Sequence, residues 1–149
     1  MLVDTLKLLF DRDLQKLQEE IEAYPTEPAL WCRAPGIRNS AGNLCLHVLG
    51  NLNTYIGAEL GQTGYSRDRD REFSAQGIPR AELLAGIAAT RRVVEEALTP
   101  LPDAQLATPY PEVVWQAPTS LGYLLVHLTT HLAYHLGQIN YHRRLMDQG

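Results

Sequence analysis

Between Val113 and His142 the chain contains no Asp, Glu, Lys or Arg, and this run constrains the fold more than any other feature. Within it, LGYLLVHLTTHLAYHLGQINYH places Leu121, Leu125, Leu128, Leu132, Leu136 and Ile139 at three- and four-residue intervals, one apolar stripe of an α-helix. His127, His131, His135 and Gln138 form the stripe beside it, and Val126, Thr130, Ala133, Gly137 and Tyr141 make a third face that is small or uncharged. A helix without a charged face is buried all round. A membrane span fits poorly, because histidines, threonines, Gln138 and Asn140 interrupt the apolar run. The third face therefore needs a cover, and the expectation is a homodimer packed through this helix.

The rest of the chain reads as three further helices. Leu2, Leu6, Leu9, Phe10, Leu17, Ile21 and Tyr24 recur at helical spacing until Pro25 and Pro28 break the pattern. After a loop anchored by Trp31, an Asn39 or Ser40 cap opens a second helix over about residues 41–60, where His47, Asn51 and Tyr55 share a face. Gly50 and Gly57 lie on a neighbouring stripe, the mark of close helix packing. The loop GQTGYSRDRDREFSAQG follows, and its alternating charges read as a solvated segment. Pro79 starts a third helix with Leu83, Leu84, Ile87, Val94 and Leu98 inward, and a Thr119 or Ser120 cap opens the fourth. Without period-2 runs or repeats, the pattern predicts an all-α four-helix bundle, one domain over residues 1–149.

Composition excludes several classes of function. Thirteen basic against 17 acidic residues give a net charge of −4 with no long basic block, so nucleic acid is not an expected partner. The opening MLVDTLKLLFDRD lacks the charged and apolar regions of an export signal, which points to the cytoplasm. Cys32 and Cys45 then read as reduced thiols that behave as small hydrophobes.

Four of the five histidines lie on the fourth helix. Two histidines at i and i+4 project side by side, and a third from a neighbouring helix completes a facial nitrogen set with open positions for water or substrate. His47 is the one histidine outside that helix. Hydrogen-bonded core histidines are the bland alternative.

The segment HLTTHLAYHLGQINYHRRL resembles the C-terminal helix of DinB-like proteins, which include YfiT-type metal-dependent hydrolases, and LHVLGNLNTYIG resembles their second helix. The resemblance implies an up-down-down-up four-helix bundle, often dimeric, with a divalent metal on three histidines: nickel or zinc foremost, manganese or iron(II) as alternatives. Carried over residue by residue, the ligands are His47, His131 and His135. His127 lies one turn before the pair and is at best a neighbour of it, while His142 lies too far along the helix. Relatives include hydrolases and thiol-dependent transferases, so the implied substrate is a small molecule or a low-molecular-weight thiol.

Three neutral imidazoles leave a metal its full charge, which lowers the pKa of a bound water or thiol. Asn51 and Gln138 are candidates to orient a bound substrate, or else act as ordinary hydrogen-bonding groups. Arg67, Arg69 and Arg71 are candidate carboxylate binders, with solvent exposure as the stronger reading. Trp31 and Trp115 read as plugs at the bundle ends. No acid-base residue is evident beside the ligands, so a non-catalytic metal- or small-molecule-binding module stands as the alternative to an enzyme.

Overall fold

The computed structural model describes residues 1–147. Among them the secondary structure is helical: α1 (Leu2–Ala23), α2 (Ala41–Leu52), α3 (Arg69–Ser74), α4 (Arg80–Leu98) and α5 (Leu121–Met146), with 3-10 turns at Pro28–Trp31 and Asp103–Ala107. The four long helices are those the hydrophobic periodicity predicts. The short α3 is not, and it begins inside the RDRDRE run and ends two residues beyond it, in the segment expected to be a solvated loop.

The core follows from the apolar stripes. Phe10, Leu14, Leu17 and Ile21 of α1, Leu52 of α2, Ile87 and Leu98 of α4, and Leu124, Leu125 and Ile139 of α5 are fully buried. Each such side chain contributes about 1.5–3 kcal/mol through its removal from water. α1 packs on α4 and α5, while α2 packs on α4, α5 and α3. Ser40 caps α2 by accepting from the Asn43 amide at 3.2 Å, and Ser120 caps α5 by accepting from the Tyr123 amide at 3.1 Å.

α2 does not end at Leu52 but widens into a π-turn at Asn53–Ala58. There the Asn53 side chain donates to Leu49 O at 2.8 Å and to Thr90 Oγ1 on α4 at 2.9 Å. Such turns interrupt a helix at a cost and recur at functional sites. Beyond it, Tyr110 donates its hydroxyl to Tyr55 O at 2.8 Å, and the Tyr110 amide donates to Thr119 O at 2.8 Å. These bonds tether the loop that carries Val114 and Trp115 against α2.

Trp31 is buried, donates its indole N–H to Ile78 O at 3.3 Å and lies over Gly42, where a Cβ would meet the ring at 2.7 Å. It anchors its loop as expected. Trp115 does not plug a bundle end: it is 40% exposed and meets Tyr123 and His127 edge to face. The third face of α5 is open in the single chain, with Tyr123 62%, Tyr134 65% and Tyr141 64% exposed. Among the described residues no helix is long and apolar enough to cross a membrane. Cys32 and Cys45 are both free thiols.

Candidate metal centre

His47 from the middle of α2 faces His131 and His135, one turn apart on α5. Their Nε2 atoms converge: His47 to His131 is 3.2 Å and His131 to His135 is 3.1 Å. All three ligand atoms lie within 4.8 Å of one another. Metal–imidazole bonds of about 2.1 Å spread over tetrahedral to octahedral angles separate nitrogens by roughly 3.0–3.4 Å, so the two closest spacings suit a single divalent ion.

The outer nitrogens carry the stronger argument. His47 Nδ1 donates to Glu72 Oε1 at 3.1 Å, and His135 Nδ1 donates to Gln138 Oε1 at 2.7 Å. A proton held at Nδ1 leaves the lone pair on Nε2, turned toward the cluster, which is how an outer acceptor fixes the tautomer of a ligating histidine. Gln138 thus bonds an imidazole, and with His135 it also lines an open cavity on the outer side of the cluster. The residues present fit a metal by donor type, spacing and tautomer.

Glu72 is the residue that sequence reasoning missed. It is 5% exposed, and its carboxylate is shared between His47 and Arg67, whose Nε lies 2.9 Å from Oε2 and whose Nη2 lies 3.0 Å from Oε1. The run DRDREFS folds inward because Asp68 caps α3 by accepting from the Arg71 amide at 3.1 Å. Asn43 of α2 then donates to Glu72 O at 3.0 Å and to Ala75 O at 2.9 Å. Phe73 completes the seat, its ring centroid 4.8 Å from that of His47. Alternating charges imitate an exposed loop, yet one carboxylate and one guanidinium of the run are buried as a pair.

Gly50 explains how the carboxylate fits. A Cβ there would lie 1.9 Å from Glu72 Oε2, so the glycine admits this side chain of the helix α3 packed against α2. Gly57 also meets a helix, since its Cβ would lie 3.0 Å from Val93 of α4. Gly50→Ala is expected to cost about 1–3 kcal/mol by overpacking a site that Arg67 and His47 hold in place. Chemical denaturation measures this, and an unchanged midpoint would contradict the packing.

The remaining histidines separate cleanly. His142 is buried, accepts at Nδ1 from the Tyr24 hydroxyl at 2.6 Å and donates from Nε2 to Cys32 O at 2.8 Å, so it joins α5 to α1 and the first loop. His127 stacks on His131 with ring centroids 6.2 Å apart and touches Trp115 at 4.7 Å. It lines a cavity of about 350 Å³ that His47 and His131 also face, together with Asn51, Tyr55, Arg67 and Trp115.

Burial, and then the neighbouring imidazoles of His135, His47 and His127, holds His131 down at about 4. Burial likewise lowers His47 against the opposing pull of Glu72. The unfolded chain, with histidines near about 6.5, therefore takes up these protons first. In the metal-free protein, stability from this cluster is present above about pH 6.5 and is lost as pH falls towards about 4. Denaturation midpoints at pH 7 and pH 5 measure it; equal midpoints would contradict the burial of these imidazoles.

The chain matches the family model of the DinB superfamily over residues 9–139. It belongs to the DinB superfamily. The match includes His47, His131 and His135. No curated protein matches the chain. As a DinB superfamily member it shares an all-helical fold and carries a three-histidine group able to hold a metal ion.

Proposed function

We propose that this protein is a divalent-metal-dependent enzyme whose metal, on His47, His131 and His135, activates water or a small thiol. The observation that carries the reading is the convergence of three Nε2 atoms while the Nδ1 atoms of two are held by Glu72 and Gln138. A metal bound there, nickel or zinc foremost, supplies a Lewis acid that lowers the pKa of water or thiol.

The chain's own residues supply the rest. Glu72 fixes the ring of His47, Arg67 balances the charge of Glu72, and Trp115 and His127 wall the cavity beside the site. The proposed setting is a cytoplasmic homodimer with an up-down-down-up bundle. A second copy would cover the open face of α5 around Val126, Tyr134 and Tyr141.

A non-catalytic binding module has one observation in its favour. Glu72, the buried acid beside the histidines, is committed to His47 and Arg67 and does not line the cavity, which leaves no free carboxylate base there. Stripping the protein and reloading it with nickel or zinc separates the two readings. Ester hydrolysis or thiol transfer that disappears with the metal and returns with it supports the enzyme; a tightly held metal with neither activity supports the module.

A further inference from the structure

The cavity beside the histidines has two groups that nothing else in the fold satisfies. Asn51, one turn after His47, is 8% exposed, and its Oδ1 has no hydrogen-bond partner. An unpaired buried acceptor costs about 1–3 kcal/mol, and an apolar residue would fill this position without that penalty. Its neighbours along the same helix face, His47 and Tyr55, line the cavity with it.

Arg69 stands at the same cavity from α3. It pairs with no acid among the described residues, and its guanidinium lies 5.5 Å over the ring of Phe73, which itself packs on His47. Arg67 lines the cavity too, but Glu72 takes up its charge. No carboxylate lines the space, so Arg69 is its one charged side chain without an acidic partner, and Trp115, Leu124 and Leu128 form an apolar wall. At about 350 Å³ the cavity is at the small end of ligand sites.

We propose that this cavity is a subsite for a small organic carboxylate that also carries an N–H or O–H donor. Arg69 receives the carboxylate, and Asn51 Oδ1 accepts from the donor. The guanidinium fork matches a carboxylate bidentately, and the donor ends the isolation of the Asn51 oxygen. The short carbon skeleton lies along Trp115 and Leu128. This assignment rests on the metal-dependent reading of the same site and names the class of substrate it takes.

Three probes that differ by one group each test it on the cobalt(II)-loaded protein. N-acetylglycine has both features, 4-oxopentanoate replaces its N–H by a methylene, and N-ethylacetamide replaces its carboxylate by a methyl. Paramagnetic broadening of each probe's methyl resonance reports its affinity near the metal. N-acetylglycine is expected to bind about tenfold more tightly than either relative, a difference of about 1.4 kcal/mol.

Arg69→Gln should reduce N-acetylglycine to the level of N-ethylacetamide, and Asn51→Leu should reduce it to the level of 4-oxopentanoate. Arg69 is exposed, so its replacement leaves the fold intact. Equal affinity for the three probes, or an N-acetylglycine affinity indifferent to both substitutions, overturns the subsite while leaving the metal reading in place. Failure of the wild-type protein to take up cobalt overturns both.

Discussion

His131→Ala is expected to abolish stoichiometric metal binding while the helical circular dichroism stays at its wild-type level. His131 is the centre of the cluster, within 3.2 Å of His47 and 3.1 Å of His135 at Nε2, so its loss leaves the other two without the donor that joins them. His135→Ala should do the same. His142→Ala should keep the metal and instead lose about 1–3 kcal/mol of stability, because it strips the Tyr24 hydroxyl and Cys32 O of a buried partner. The contrast matters because both kinds of variant remove a histidine from α5. Equal loss of metal from His142→Ala would overturn the ligand assignment.

Arg67→Ala should be the most destabilising change near the site. The side chains of Arg67 and Glu72 are 16% and 6% exposed, and removing the guanidinium leaves a buried carboxylate with His47 as its remaining side-chain partner. Breaking a buried pair in this way costs about 3–5 kcal/mol, with the lower end expected here because His47 still donates to Glu72. Arg67→Ala combined with Glu72→Gln should recover part of the loss, since the orphaned charge is then gone. A single variant as stable as wild type would mean that the Arg67–Glu72 pair is solvated.

The long helices were legible because each carries a stripe of apolar residues over several turns, and α5 most of all because no charge interrupts it. The histidine cluster was legible in part for the same reason: His131 and His135 share one face by spacing alone. That His47 meets them depends on how α2 lies against α5, which periodicity does not specify, and its expectation came from the family resemblance.

Glu72 and Arg67 were hidden because burial of a charge depends on a partner, and their partners come from α2 and from each other across five positions. The available signal was Gly50, a costly glycine three residues after His47 on a helix, which a close helix explained equally well. Trp115 was misplaced because its position depends on the Tyr110–Thr119 and Tyr110–Tyr55 bonds of an irregular loop.

The central claim is that three imidazoles from α2 and α5 hold one divalent ion. Elemental analysis of the untagged protein, beside a variant with His47, His131 and His135 all replaced by alanine, tests it most directly. The account predicts close to one equivalent of a transition metal in the wild type and none in the triple variant. An absence of metal from the wild type, even after incubation with nickel, zinc, manganese or iron(II), would contradict it and leave the histidines as hydrogen-bonded core residues.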